Sequence, residues 1–216
     1  MRRPWLLAVM LFLLVVPVGF STSINLLAAS RNEDFGSIAQ ATLETTEGDG
    51  RVFIQTNLLS QADTQFSVRL AKEFICSNYA NCSDLDFFYT IESSSNLISG
   101  PSGGSALALL TYAHLYDLDI PSSLSMTGTI NSGGYIGTVG GLKQKVTAAA
   151  ASGITSVLVP VGNRYFYNLS RTGVNTTTNV SSLNNSKVDL IEYGSNLDVD
   201  VVEIGTFDDI LEVVYE

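Results

Sequence analysis

Two glycine-rich turns govern what this chain can fold into. The first is Gly100-Pro101-Ser102-Gly103-Gly104-Ser105-Ala106, and the second is Gly140-Gly141-Leu142-Lys143-Gln144-Lys145. Each follows an extended segment and opens a helical pattern, so the chain must alternate strands and helices around one core. After the first turn, Ala106, Leu109, Leu110 and Ala113 fall at i, i+3, i+4 and i+7, one buried helical face. After the second, Leu142, Val146, Ala149 and Ala150 make another such face, which Gly153 stops. Between the two helices, Leu124–Ile130 reads as a strand with Gly128 inside it. A tight turn at Asn131–Gly134 and a return strand at Tyr135–Val139 follow.

The flanks extend the same alternation. Ser37–Thr46 and Arg51–Thr56 read as strands joined by Gly48-Asp49-Gly50, which predicts a hairpin. Gln61–Ser77 places Phe66, Val68, Leu70, Ala71, Phe74 and Ile75 at helical spacings. Leu85–Ile91 is an aromatic-rich strand, and Ser93–Gly100 a polar loop. Thr155–Pro160 is a buried strand, Asp198–Ile204 a final one, and Thr206–Tyr215 a helix capped by Thr206. Residues 163–196, rich in Asn, Thr and Ser, read as a surface insertion. The predicted class is α+β, α/β-like, with a mixed sheet in a single domain over 31–216.

The N-terminus carries a delivery signal. Arg2 and Arg3 precede an apolar run from Trp5 to Phe20, and no charge occurs between Arg3 and Arg31. Residues 1–30 therefore read as a leader, either a cleaved secretory signal or a membrane anchor. An exported protein meets an oxidising compartment, where the only two cysteines, Cys76 and Cys82, would close a small disulfide loop. Unpaired buried thiols are the alternative. Asn-x-Ser/Thr sequons at Asn81, Asn168, Asn175, Asn179 and Asn184 are candidate glycosylation sites. The expected location is extracytoplasmic, secreted or held to the membrane by the N-terminal segment. A balance of 21 acidic against 11 basic residues, net −10, argues against a nucleic-acid partner.

The chemistry concentrates at Ser102. A serine hydroxyl needs a base. The only histidine, His114, stands twelve residues further along the same helical pattern, roughly 18 Å away at 1.5 Å per residue. It cannot serve Ser102, and a Ser-His-Asp triad is excluded. A neutral, buried lysine can replace histidine. Lys143 and Lys145 flank the apolar stripe of their helix about equally, so helix geometry leaves open which is the base. Ser102 at a helix start has backbone N–H groups nearby, and Pro101, Gly103 and Gly104 form a candidate oxyanion and substrate loop. No metal or cofactor is called for.

Gly100-Pro101-Ser102-Gly103-Gly104, Met126-Thr127-Gly128-Thr129-Ile130 and Gly140-Gly141-Leu142-Lys143-Gln144-Lys145 resemble the successive signatures of the Lon protease proteolytic domain. Ala149-Ala150 and Gly153–Pro160 continue the likeness. The resemblance implies a Ser-Lys dyad with Ser102 as nucleophile and Lys145 as base. It makes Thr127 a candidate hydrogen-bond partner of the Lys145 amine. It implies a peptide or protein substrate and a candidate homo-oligomer. The sequence also departs from the Lon pattern. No Gly-x-x-x-x-Gly-Lys-Ser/Thr stretch is present, so the chain looks more like the exported, ATPase-free Lon-like proteases of archaea, with no ATP requirement. Ser99 stands where Lon often has an acidic residue, and Thr129 where it usually has Glu. A catalytically inactive Lon-fold binding or assembly module is the alternative function.

Overall fold

The structure is a computed structural model and describes residues 21–29, 35–57, 59–60, 62–93, 97–98, 100–171 and 183–216. In chain order the first elements are β1 (Thr22–Ala29), β2 (Gly36–Glu47), β3 (Val52–Thr56), β4 (Leu59–Ser60), α1 (Ala62–Asn78), β5 (Leu85–Ser93) and β6 (Leu97–Ile98). A single 3-10 turn at Pro101–Gly103 leads into α2 (Gly104–Leu115), β7 (Leu124–Met126), β8 (Thr129–Ile130), β9 (Ile136–Gly137) and α3 (Leu142–Ala151). The chain ends with β10 (Ser156–Pro160), β11 (Tyr165–Arg171), β12 (Leu183–Asp189), α4 (Leu190–Ser195), β13 (Asp200–Ile204) and α5 (Phe207–Tyr215).

Seven strands form one mixed sheet in the order β13-β10-β7-β1-β2-β5-β3. β1 is its middle strand. It pairs antiparallel with β2 along its whole length, from Thr22↔Leu43 to Ala29↔Gly36, and parallel with β7 through Asn25↔Ser125 and Leu26↔Met126. Its side chains alternate between faces, as a strand requires. Ile24 and Leu26 join the core cluster formed with α1, α2 and α5, and Leu27 joins the one formed with α3 and α4. β10 divides in the same way, with Leu158 on one face and Val157 and Val159 on the other. The result is a helix–sheet–helix layering of α/β type.

This corrects the leader boundary drawn at residue 30. Residues 22–29 belong to the domain, and residues 1–20 lie outside the described residues. Hydropathy merges the two segments because neither carries a charge. The period-two pattern of Thr22, Ile24 and Leu26 against Ser23 and Asn25 was the signal that separates them.

Other expectations change too. β2 and β3 form no hairpin. β5 inserts between them, antiparallel to β2 and parallel to β3, because α1 supplies the crossover that a parallel pair needs. α2 is buried on all sides from Gly104 to Thr111, not along one stripe. It is packed between α1, α5 and the sheet. On α1, Phe66 is 62% exposed, while Thr64 and Ser67 occupy the buried stripe. The polar loop before Gly100 contains β6, which pairs with β4. The segment 163–196 is only partly a surface insertion. β11 and β12 form a two-stranded hairpin, but Leu190 of α4 is fully buried, and Phe166, Ile191 and Tyr193 pack against the same cluster.

Cys76 and Cys82 form a disulfide with a Cα–Cα distance of 5.5 Å, tying the end of α1 to the loop before β5. Asn81, within that loop, is exposed. Asn168 and Asn184 lie on β11 and β12, and Asn175 and Asn179 lie outside the described residues. His114 bridges two threonines, with Nδ1 3.1 Å from Thr22 Oγ1 and Nε2 2.9 Å from Thr45 Oγ1, so it fastens α2 to β1 and β2.

Two tests follow from this architecture. A chain beginning at Ser21 is expected to fold with a single cooperative melt. One beginning at Arg31 lacks the middle strand and is expected to show none by circular dichroism. Replacing Cys76 and Cys82 together by Ser should lower unfolding free energy by about 2 kcal/mol, the chain-entropy value for so short a loop, measured by urea titration.

Candidate active site

The first glycine-rich turn is shaped by Gly100, whose φ of 107° and ψ of 148° belong to backbone that only glycine adopts readily. The chain then runs through Pro101–Gly103 and enters α2. Here Ser102 is half-buried. Its carbonyl accepts two hydrogen bonds, from the Gly128 N–H at 2.8 Å and from Thr127 Oγ1 at 3.2 Å. The Ser105 N–H donates to the Gly128 carbonyl at 3.0 Å. The serine turn is thus laced to the segment that follows β7. That segment is itself fixed by the Thr127 N–H, which donates to the Leu158 carbonyl of β10 at 3.0 Å. Gly128 is required there, since a Cβ would come within 2.5 Å of Ile136 and 3.2 Å of Ser105 Oγ.

The second glycine-rich turn places the lysines. Gly141 precedes α3 in the left-handed region at φ 70°, and a Cβ there would meet Ala29 of β1 at 2.4 Å. α3 can therefore start hard against the middle strand. One turn later, Lys145 points inward and is 3% exposed. Its Nζ donates to Thr127 Oγ1 at 2.9 Å. Burial strips water from the ammonium form and pushes its pKa down to about 8. Lys143 is half-buried and does not line the cavity that Lys145 enters. The direction in which α3 faces the sheet turns Lys145, and not Lys143, into the cavity.

Ser102 and Lys145 line the same cavity, of about 590 Å³. Pro101 and Gly103 line it as well. Gly104 does not, and its N–H is already bonded to the Pro101 carbonyl. Of the candidate oxyanion and substrate loop, Pro101 and Gly103 line the cavity, and Gly104 is the first residue of α2. Thr129, which departs from the Lon pattern, lines the cavity, and Ser99 lies outside the described residues. Sequence reasoning missed two parts of the wall. Leu26–Ala29 of β1 were assigned to the leader, and Thr64 and Ser67 of α1 were passed over. Hydroxyls three residues apart on an otherwise apolar helical stripe were the available signal.

A half-buried serine turn, a water-poor lysine and a threonine bonded to both are the arrangement that a serine peptidase domain of the Ser-Lys type calls for. Comparison with known proteins gives the family. The Lon protease (S16) C-terminal proteolytic domain matches residues 61–188, more than half of the chain, and the chain belongs to that family. It is a serine endopeptidase domain, a hydrolase. It is similar to the Lon protease of Phenylobacterium zucineum, 31% identical over 134 residues, which cover 60% of this chain and 17% of that protein. The Lon protease of Clostridium beijerinckii is 32% identical over 118 residues, 54% of this chain and 15% of that protein. Lon protease 2 of Borreliella burgdorferi is 40% identical over 68 residues, 32% and 8% of the two chains. The chain thus matches less than a fifth of the length of these relatives.

The buried amine carries a pH signature. With the folded pKa near 8 and the free lysine near 10.5, the unfolded chain binds more protons between those values. Lys145 therefore costs the fold roughly 3 kcal/mol below pH 8, and this cost disappears as pH rises to about 10.5. Lys145→Met is expected to melt at or above the wild-type temperature at pH 7, and the gap should narrow by pH 10. Scanning calorimetry at both pH values checks this. A large drop in melting temperature at pH 7 would contradict a desolvated amine.

Proposed function

We propose that the domain cleaves peptide bonds by acyl transfer, with Ser102 as nucleophile and Lys145 as general base. The observation that carries this reading is the Lys145 amine. It is buried, has a pKa near 8, and is hydrogen-bonded to the threonine that holds the Ser102 carbonyl. In the reaction Ser102 Oγ bonds to the substrate carbonyl carbon and its proton passes to the neutral Lys145 Nζ. The resulting ammonium returns that proton to the leaving amine as the peptide C–N bond breaks. Water then attacks the acyl-enzyme while Lys145 takes its proton, and Lys145 passes that proton to Ser102 Oγ as the Oγ–acyl bond breaks and the acid product leaves. Thr127 is a positioning residue. Its hydroxyl accepts from Nζ while donating to the Ser102 carbonyl, so it orients the amine without taking up a proton.

The substrate is a peptide or protein, and the reaction requires no ATP, since the chemistry needs only the cavity, Ser102 and Lys145. The domain acts outside the cytoplasm, delivered or held to the membrane by the apolar segment Trp5–Phe20 behind Arg2 and Arg3. The Cys76–Cys82 disulfide favours an oxidising compartment. The exposed Asn81 sequon is compatible with glycosylation there. Self-association of several such domains, with the cavities facing a shared space, is the assembly that the family likeness favours.

Casein or a quenched peptide, incubated without nucleotide, is expected to be cut by wild type and left intact by Ser102→Ala and Lys145→Met. Lys143→Met should retain activity within a few-fold. The wild-type kcat/KM should rise about tenfold per pH unit up to about pH 8 and then level off, because only the neutral amine is a base. Cleavage by Ser102→Ala at the wild-type rate would refute the nucleophile assignment. A strict dependence on added ATP would refute the nucleotide-free reading.

A further inference from the structure

The loop Thr138–Gly141 forms one wall of the catalytic cavity and runs directly into α3 and Lys145. It belongs to no strand. Its hold comes from a distant side chain. Asn163 Oδ1 accepts from the Val139 N–H at 2.9 Å, and Asn163 Nδ2 donates to the Val139 carbonyl at 3.1 Å. One planar amide thus meets both polar groups of the Val139 backbone, as a neighbouring strand would. No other hydrogen bond reaches that backbone among the described residues. Asn163 is itself firmly mounted in the turn after β10. Its N–H donates to the Pro160 carbonyl at 3.0 Å, and the Val161 N–H donates to the Ile204 carbonyl of β13 at 2.9 Å. The same strand β10 fixes Thr127, the partner of Lys145, through the Leu158 carbonyl. One strand therefore sets both sides of the cavity, the dyad through Leu158 and the facing wall through Asn163.

We propose that Asn163 is a positioning residue of the cleavage reaction, whose amide holds the Thr138–Gly141 wall where it seats a peptide for attack by Ser102. The inference rests on the reading of Ser102 as the nucleophile of this cavity. Asn163 does not line the cavity, so it acts through the wall. Thr138 and Gly140 are exposed and Val139 is half-buried, so the loop offers surface to an entering chain. Little else fastens it. Nothing lies within 4 Å of the Cβ position of Gly140, and glycine leaves the backbone free to swing there. The dyad, by contrast, is held by other contacts. Lys145 is bonded to Thr127, Ser102 is bonded to Gly128 and Thr127, and Gly141 stands against Ala29. Loss of the Asn163 amide therefore shifts the wall and leaves Ser102 and Lys145 in place. A seat misplaced by about an ångström is enough to weaken productive binding severely.

The test compares wild type and Asn163→Ala on a quenched peptide and on a small fluorophosphonate. The fluorophosphonate reads the dyad alone. Ser102 Oγ bonds to phosphorus, fluoride leaves, Lys145 takes the proton, and no peptide seat is needed. Asn163→Ala is expected to raise KM about tenfold while kcat and the rate of inactivation stay within a few-fold of wild type. A wild-type KM overturns the proposal. So does an inactivation rate that falls as far as kcat/KM, because the residue would then serve the dyad or the whole fold and not the wall. If Asn163→Ala does not fold, Asn163→Asp takes its place. It keeps an acceptor for the Val139 N–H, loses the donor, and should show the same split at smaller amplitude. A wild-type KM there overturns the proposal equally. One readout needs no turnover. On the Ser102→Ala background, adding Asn163→Ala should weaken peptide affinity about tenfold, and equal affinities overturn the proposal. Failure of the nucleophile reading registers separately, as cleavage or inactivation surviving in Ser102→Ala, with the peptide affinities still deciding the role of Asn163.

Discussion

An amine kept away from water is the constraint on which the rest of this structure depends. Lysine is a useless base while it is hydrated and charged, and its loss of solvation is what brings its pKa near working pH. That loss requires a closed apolar surround and a partner that does not itself carry charge. Thr127 meets the second need. Its hydroxyl accepts from Lys145 and donates to Ser102, so the amine is aimed without being held in its protonated form, as a carboxylate would hold it. The surround is met by β1, whose Leu26–Ala29 segment forms one side of the cavity.

The same strand therefore serves the fold and the site. As the middle of the seven-stranded sheet, β1 divides its side chains between the two cores, and its Leu26–Ala29 segment lines the cavity beside Ser102 and Lys145. Gly141 lets α3 start against Ala29, and this contact sets the angle at which Lys145 enters the cavity. Gly36, opposite Ala29 in β2, lies equally close to α3, since a Cβ there would meet the Gln144 carbonyl at 2.3 Å. Backbone proximity, not side-chain charge, fixes the catalytic helix.

Much of this was legible in the sequence. The helices after both glycine-rich turns, the strand Ser156–Pro160 and the capped helix after Thr206 follow from local patterns, because periodicity and capping are short-range signals. Ser102 could be singled out, but the choice between Lys143 and Lys145 depended on how α3 rotates against the sheet, and no helical pattern contains that angle. Strand order was equally hidden. Nothing local to Arg51–Thr56 tells it to pair with β5 and not β2. The role of residues 22–29 was masked by the uncharged apolar run that precedes them in the sequence. Asn163 was hidden because an asparagine at the head of a polar segment looks like surface until its partner Val139 is seen.

The sheet joins distant parts of the chain at its centre, where β1 lies beside β7. Ser125 Oγ donates to the Asn25 carbonyl at 2.7 Å across a sequence separation of 100 residues. The cavity takes walls from β1 near the start of the described domain and Lys145 from α3 far downstream. The lining of that cavity runs from Leu26 to Lys145, so a chain emerging from a ribosome cannot assemble it until both have been made. Until then that lysine is hydrated and charged. A water-poor amine at Lys145 is thus a property of the assembled sheet and is absent from any partly made chain.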